Sequence, residues 1–555
     1  MTNTEIARLF RLTATLLEFE EANPFKVRSY QNAAETLKGL GTELSEMSPD
    51  ERAQTPGLGK NMVQKIGQLM EDGAFDELEQ LRADIPVGVV DLLQIKGIGP
   101  KKVKTAYEDL GIEGPRQFLK AAESGQLVAL KGFGKKTVEK LAGAVRYYLE
   151  TQQQRRYADA EPIAEGIERM LENMEGLRQQ AITGEFRRLA PVITQLEWLL
   201  SVEDEASFRE ALAAQENLQP HPERTEAWQW EEENLPLLLH FATPAEFHAR
   251  LAQTTGSEEF LALGDGGPQE TATEEAWLEQ AGLPVVPPFL RETEYADTTP
   301  EALSVSLHDL VEEDAQRGTI HAHSTFSDGI HTLEEMARAC MALGHEYLVI
   351  TDHSRAAFYA NGLKEEDAER QWKEIDRLNQ ALAPFRIFKG IEADILSDGR
   401  LDYDDDFRAG FEFVVASVHS QLDMDEAKAT QRLIRAIEHP HCTLLGHPTG
   451  RLLLKRKGYQ PDMKKVLDAC AANGVVVEIN ANPQRLDLDW RWVPYAQQKG
   501  VQIAINPDAH ATGHLSLNRY GFMAARKGAL RSDYFFNALG RDQLVEHLRN
   551  RNQLS

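Results

Sequence analysis

His321-Ala322-His323-Ser324-Thr325-Phe326-Ser327-Asp328-Gly329 decides how the C-terminal half of this chain folds. Side chains alternate along an extended segment, so two histidines one residue apart turn their imidazoles the same way, with Asp328 on the turn that follows. One such cluster is a moderate signal, but this half of the chain repeats it. Short runs rich in Val, Ile and Leu occupy Thr319–Ala322, Tyr347–Thr351, Phe385–Ile391, Phe413–Ser417, Cys442–Gly446, Val475–Ile479 and Val501–Ile505, separated by longer helix-like stretches. That is the pattern of buried parallel strands in β/α units. Each run ends at or beside a polar group: His321/His323, Asp352-His353, Glu392, His419, His447, Glu478 and Asp508/His510. In a parallel barrel the C-terminal strand ends share one mouth. His321, His323, Asp328, His353, Glu392, His419, His447, Asp508 and His510 are therefore expected to converge there.

A single buried histidine is usually bonded to backbone. Six imidazoles with three carboxylates at one mouth are hard to satisfy without cations. Such donors suit two or three borderline ions, manganese, zinc or iron, better than magnesium alone. A thiolate site is not expected, because Cys340, Cys442 and Cys470 match no zinc-ligand spacing.

The motifs His321-x-His323, Ser327-Asp328-Gly329, Thr351-Asp352-His353-Ser354, Gly390-Ile391-Glu392-Ala393-Asp394, Ser417-Val418-His419-Ser420, His447-Pro448-Thr449-Gly450-Arg451, Glu478-Ile479-Asn480-Ala481-Asn482-Pro483 and Asp508-Ala509-His510 resemble the polymerase-and-histidinol-phosphatase (PHP) domain. In particular they look like the one at the C-terminus of bacterial family X DNA polymerases. The resemblance runs from residue 315 to 555 and implies a distorted (β/α)7 barrel with a trinuclear manganese or zinc centre. Carried over by position, His321, His323, Glu392 and Asp508 hold one ion, Asp328, His353 and His510 a second, and His419 and His447 a third, with Glu392 bridging.

A chain of 555 residues exceeds one core, so three or four domains are expected. With 60 Lys+Arg against 88 Asp+Glu the net charge is −28, which argues against an overall phosphate-binding coat but not against local basic patches. No run of about 20 apolar residues occurs and Met1–Phe10 lacks an apolar signal region, so a cytoplasmic protein without a membrane partner is expected. Three scattered cysteines fit a reducing compartment.

Three Gly-x-Gly turns punctuate the helical N-terminal part: Pro56-Gly57-Leu58-Gly59-Lys60, Lys96-Gly97-Ile98-Gly99-Pro100-Lys101 and Lys131-Gly132-Phe133-Gly134-Lys135-Lys136. Each lies between apolar helical segments, the layout of a helix–hairpin–helix. Glycine lets backbone approach a phosphate, and the following helix offers free N–H groups. One such turn is usually a tight connection, but three with flanking lysines indicate grip on a nucleic-acid backbone without sequence reading. Residues 96–140 hold ten Lys/Arg against five acidic residues, so the local sign is right. Gly57, Gly59, Lys60, Gly97, Gly99, Lys101, Gly132, Gly134, Lys135 and Lys136 are the candidate DNA contacts.

This region resembles the lyase-like and fingers parts of family X polymerases, implying a lyase-like domain over 1–85 and a fingers-like domain over 86–155. Lys65 falls where the family's Schiff-base lysine stands, although a solvated lysine is the commoner reading at that helical spacing. Residues 156–295 should be a nucleotidyltransferase-like α+β palm and thumb, and here the resemblance breaks down. The family's Gly-Ser-x-Arg-Arg reads Gly184-Glu185-Phe186-Arg187-Arg188, and its three magnesium-holding aspartates fall on Gln195, Glu197 and Leu238. Two-metal phosphoryl transfer needs those carboxylates. Residues 203–233 add ten acidic residues against two arginines, which repels template. Magnesium in the palm is not expected, and the palm reads as degenerate.

The expected activity is phosphodiester hydrolysis at the barrel mouth, with ions activating water and neutralising phosphate charge. Arg451 is a candidate phosphate clamp or else a rim salt bridge. Asp352 or an unliganded carboxylate is the candidate proton donor. In resembling family members this domain is a 3′–5′ exonuclease, 3′-phosphatase or abasic-site endonuclease. The expected partner is therefore DNA, gapped, nicked, 3′-ended or abasic, with the protein acting as a monomer. A gap-filling polymerase, a non-catalytic DNA-end scaffold and a small-molecule phosphatase remain as other readings.

Overall fold

The computed structural model describes residues 3–38, 44, 47–55, 57–95, 97–215, 218–220, 227–230, 235–295, 298–300, 302 and 309–554. Pro56, Lys96 and parts of the acidic 203–233 stretch lie outside the described residues. The chain divides into two compact units, Met1–Gln152 and Gln153–Ser555.

The first unit is all helical. Its apolar positions, from Ile6 and Phe10 to Leu141 and Val145, form one core that runs without interruption past residue 85. The three glycine turns share one construction. Gly57, Gly97 and Gly132 adopt φ of +88°, +97° and +88°, a left-handed conformation that glycine reaches at no steric cost. The next residue, Leu58, Ile98 or Phe133, plunges into the core at 2–6% exposure. Gly59, Gly99 and Gly134 then stand at the N-caps of the helices Lys60–Asp72, Pro100–Leu110 and Lys135–Thr151, where no side chain caps the free N–H groups.

The second unit carries two sheets and a short ribbon. The ribbon pairs β1 (Arg155–Arg156) with β3 (Val192–Ile193). The five-stranded mixed sheet comprises β2 (Leu177–Thr183), β4 (Leu196–Val202), β5 (Leu218–Pro220), β6 (Ala227–Trp230) and β7 (Pro236–Phe241), in the order β2-β4-β7-β6-β5. Only β4 and β7 in it run parallel.

Seven strands then follow in strict sequence order: β8 (Gly318–Ala322), β9 (Tyr347–Ile350), β10 (Arg386–Asp394), β11 (Phe413–Ser417), β12 (Leu444–Leu445), β13 (Val476–Asn480) and β14 (Ile503–Asn506). All are parallel. Each of the seven apolar runs in the sequence becomes one of these strands, and they are buried on both faces, as helix-covered parallel strands must be. The barrel is drawn shut just beyond its edge strands, where His323 N–H donates to the Ala509 carbonyl at 2.8 Å and Ala509 N–H to the His321 carbonyl at 3.3 Å. Among the described residues, no helix is long and apolar enough to cross a membrane.

Candidate metal centre and DNA-binding turns

All nine candidate side chains meet at the C-terminal mouth of the barrel. Four overlapping groups of them could hold a metal ion: His323, Asp328, His353 and His510; His321, His323 and Asp508; His321, Glu392 and His447; and His353, Glu392 and His419. The grouping differs from the carried-over one. His447 clusters with His321 rather than with His419, and His323 is shared between two groups.

Strand alternation alone does not bring His321 and His323 together. His321 has φ +62°, β8 slips register between Thr319 and Ala322, and the two rings are inclined at 50° with centroids 5.4 Å apart. His447 and Asp508 are left-handed too, at φ +25° and +51°. Three non-glycine residues held in this region mark a site whose surroundings impose strained backbone.

Donor spacing is the informative geometry. His321 Nε2 stands 3.3 Å from Glu392 Oε1 and 3.6 Å from Asp508 Oδ1, and His323 Nε2 stands 3.2 Å from Asp508 Oδ1. His419 and His447 Nε2 each lie 3.1 Å from Glu392 Oε1, and His510 Nε2 lies 3.4 Å from Asp328 Oδ1. Donors about 2.0–2.2 Å from a shared tetrahedral ion are separated by about 3.3–3.6 Å. His321 Nε2, both nitrogens of His323, His447 Nδ1 and Glu392 Oε2 are buried without a hydrogen-bond partner. Buried orphan donors of this kind demand an explanation, and a cation supplies one.

Two further carboxylates aim the imidazoles. Glu478, fully buried in the middle of β13, accepts from His321 Nδ1 at 2.6 Å, Asn506 Nδ2 at 3.0 Å, His447 N at 2.8 Å and Asn480 Nδ2 at 3.2 Å. Asp394 accepts from His419 Nδ1 at 2.6 Å. Each pair fixes the tautomer and leaves Nε2 directed into the cluster, as outer carboxylates do for ligating histidines.

The electrostatics follow from crowding. Burial pulls His321, His419 and His510 down, but the surrounding carboxylates outweigh it, carrying His321 well above the usual range, His419 up to about 10 and His510 to about 9. His323, driven by burial and by its neighbours His510 and His353, falls to about 3 and is a neutral donor. Burial works to raise Glu392 and Asp508, yet the imidazoles around them hold both well below the carboxylate range.

Asp352 and Arg451 are both engaged within the barrel. Asp352 accepts from Ser324 N, Ser324 Oγ, Ser327 N, Ser327 Oγ and Gln371 Nε2, tying the Ser324–Asp328 loop to the barrel, and burial pushes its carboxyl above the usual range. The fork of Arg451 is spent on Asp489 and on the carbonyls of Arg485 and Leu486, which is the rim salt bridge. Arg485 is instead the cation beside the cluster, with Nε 3.6 Å from Asp508 Oδ2. It sits in the Asn480–Pro483 segment's continuation, where an arginine two residues past Asn-Pro gives little signal.

The palm positions are also committed. Glu197 on β4 lies opposite Leu238 on β7, accepts from Gln195 Nε2 at 3.0 Å and is bonded to His240 Nε2 at 2.9 Å. Arg187 pairs with Glu274, and Arg188 with Glu292. Glu185 Oε2 caps Thr194.

At the glycine turns, Lys60, Lys101, Lys135 and Lys136 are exposed. A Cβ added at Gly59, Gly99 or Gly134 would meet nothing within 4 Å. Their φ values of −72°, −81° and −68° suit any residue, so nothing internal to the fold requires glycine there. Lys65 is ion-paired to Glu77 and lies 5.0 and 5.1 Å over the rings of Tyr30 and Phe75, which commits the amine proposed for a Schiff base.

A seven-stranded parallel barrel with this histidine-rich mouth is a PHP domain, and the family model of that description matches residues 319–482. Models described as helix-hairpin-helix domain and SAM-like helix-hairpin-helix tandem match residues 1–75 and 89–146. Over 562 aligned residues the chain is 33% identical to the DNA polymerase/3′-5′ exonuclease PolX of Bacillus subtilis, covering 97% of this chain and 98% of that one. The chain belongs to the PolX family, the bacterial family X DNA polymerases that carry a C-terminal PHP domain. The chain is also 27% identical over 208 residues to a probable phosphatase of Caldanaerobacter subterraneus subsp. tengcongensis (34% of this chain, 74% of that one), and 27% over 199 residues to a probable phosphatase of Acetivibrio thermocellus (34% and 78%).

Proposed function

We propose that this PolX-family protein hydrolyses DNA phosphodiesters at its PHP mouth, acting as a 3′–5′ exonuclease or on 3′-ends and abasic sites, and that it no longer polymerises. The observation that carries the reading is the ring of donors 3.1–3.7 Å apart around points they share, with buried imidazole nitrogens lacking any partner. Two or three divalent ions, manganese or zinc, fit that donor set. His323, Asp328, His353 and His510 would hold one and His321, Glu392 and His447 a second, with Asp508 and His419 completing the ring for a third. When bound, such ions supply water activated near neutral pH and charge neutralisation at phosphorus.

The protein's own groups do the rest. Glu478 and Asp394 keep the Nε2 faces of His321 and His419 inward. Asp352 fixes the loop that presents Asp328. Arg485, rather than Arg451, supports the phosphate charge. The three glycine turns hold the DNA backbone without reading sequence. In the palm, Gln195 and Leu238 offer no anionic ligand, and the remaining Glu197 is already bonded to His240.

The printed name of the Bacillus subtilis relative favours a second reading, a gap-filling polymerase with an accessory nuclease. One experiment separates them: 3′-recessed, gapped and abasic duplexes incubated in manganese, with and without nucleotides. We expect 3′-end degradation and no extension, and an H321A/H323A variant that loses hydrolysis by 100-fold or more (an order-of-magnitude figure, ~10²). Extension of the gapped primer would establish the polymerase instead. Undiminished hydrolysis in the variant would reject the PHP assignment. A wild type that binds DNA without either reaction would be a scaffold, and one that cleaves only small phosphate esters a phosphatase.

A further inference from the structure

The loop leaving β9 carries His353 into the metal-ligand cluster and, five residues later, two aromatic side chains into water. Phe358 is 84% exposed, more than any other large hydrophobic side chain among the described residues, and its neighbour Tyr359 is 59% exposed. Their rings lie 6.0 Å apart at 80°.

This loop is not slack. Leu363 N–H donates to the His353 carbonyl at 2.8 Å, closing its base on the candidate ligand itself. Ser354 N–H donates to the Glu392 carbonyl at 3.0 Å, and Asp394 N–H to Ser354 Oγ at 3.0 Å. Ala356 N–H is held by Asp402 at 2.7 Å, and the Tyr403 hydroxyl donates to the Leu363 carbonyl at 2.5 Å. Gly362 packs so tightly that a Cβ would stand 1.9 Å from the Ser354 carbonyl oxygen. A loop fixed at both feet that still spends an adjacent aromatic pair on solvent presents a surface for contact.

The surroundings say what kind. The Tyr359 ring centroid is 6.5 Å from that of His353. Two arginines, Arg485 and Arg456, lie near enough for their charges to act on one another, and Tyr359 feels Arg485 and acts on Arg456. Arg485 touches Asp508, while the Arg456 guanidinium donates to the Gly450 carbonyl, at 3.0 and 2.7 Å, with no carboxylate accepting from it among the described residues. Arg456 lies in Arg451-Leu-Leu-Leu-Lys455-Arg456-Lys457, which has four cations and no acid in a chain of net charge −28. Aromatic faces with arginines nearby are the two halves of a single-strand nucleic-acid site: bases stack on any π-face, and phosphates follow the cations.

We propose that Phe358 and Tyr359 are a stacking platform for the terminal bases of a single-stranded 3′ end, with Arg456 and Arg485 receiving the phosphates that lead into the metal-ligand cluster. This rests on reading the mouth as a DNA phosphoesterase and names its substrate as an unpaired strand, the bases of which are held before cleavage. Because the loop is already ordered, binding costs little conformational entropy.

The test compares full-length protein on 3′ tails of thymidines with tails of equal length built from abasic tetrahydrofuran units. Cleavage is followed in manganese, and binding by fluorescence anisotropy with calcium replacing manganese. Stacking of this kind is worth about ten-fold per base. Wild type should favour the thymidine tail by at least about ten-fold, mostly through KM and Kd. F358A/Y359A should lose that preference and handle the abasic tail as wild type does, while F358Y/Y359F should keep the preference. A double alanine variant that retains the preference overturns the proposal, as it would if the pair served a protein partner. So does a wild type that does not distinguish the tails. If wild type cleaves neither tail but binds the thymidine tail preferentially, and F358A/Y359A does not, the platform stands and the phosphoesterase reading falls.

Discussion

At the scale of single residues, the barrel mouth separates the atoms that face its centre from those that aim them. His321 and His419 have one nitrogen tied to Glu478 and Asp394 respectively, both at 2.6 Å. The carboxylate removes a tautomeric choice and raises the basicity of the opposite nitrogen, and the loss of such a partner typically costs 10–100-fold in metal affinity. E478Q and D394N keep the shape and remove the charge. Both should lower manganese affinity by about 10–100-fold, read by competition with a chelating dye, while leaving the glycine-turn unit's DNA affinity unchanged. Affinity equal to wild type in both variants would mean that these carboxylates only fill space. R485A should instead raise KM for DNA and leave metal affinity near wild type, since Arg485 is 3.6 Å from Asp508 but offers no ligand atom.

At the scale of elements, the glycine turns allow a sharper test than their sequence suggested. A structural glycine resists a methyl group either through positive φ or through crowding. Gly57, Gly97 and Gly132 have the first, whereas Gly59, Gly99 and Gly134 have neither. G99A and G134A should therefore fold with thermal midpoints within a degree or two of wild type (a change on the order of 0.5 kcal/mol or less). They should nevertheless weaken duplex binding several-fold, because the methyl stands where a phosphate must approach the helix N-terminus. G97A and G132A should lose stability. Binding unaffected by G99A and G134A together would remove the phosphate role. The same elements show what a sequence can and cannot carry. Seven strands and nine mouth residues were legible because apolar runs and ligand-type side chains announce themselves locally. The partners of Asp352, Glu478 and Arg451 were not, because they lie far along the chain: Glu478 is 157 residues from His321, and Arg451 is 38 from Asp489. His240 was in plain view in Leu237-Leu238-Leu239-His240, but only the β4–β7 register brings it to Glu197. The left-handed turn at His321 has no local signature either, since histidine at positive φ is imposed by its surroundings.

At the scale of the second unit, the 156–295 segment is tied to the barrel through a buried ionic network. Arg188 pairs with Glu292 at 2.9 Å, and Glu292 pairs equally closely with Lys527 from the barrel. Lys527 also donates to the Arg188 carbonyl at 2.8 Å and lies 4.5 Å over the Trp490 ring. Burial depresses this lysine to about 8 despite Glu292, so the pair is strongly desolvated. Trp490 is flanked by Asp489 and Arg491, and Asp489 holds Arg451 on the mouth's rim. Arg188 is thus joined through Glu292 and Lys527 to Trp490, which stands beside the Asp489 that holds Arg451 at the rim. Removing one member of a buried ionic network leaves the others charged and unpaired, at about 3–5 kcal/mol. K527M should lower the denaturation free energy of the Gln153–Ser555 unit by about 3–5 kcal/mol and reduce exonuclease kcat/KM, with no compensating gain in primer extension. R188A should do the same more weakly, because Lys527 still answers Glu292. If R188A instead left stability untouched and abolished a measurable extension activity, Arg188 would still be serving a nucleotide, and the palm would be an enzyme site rather than a strut.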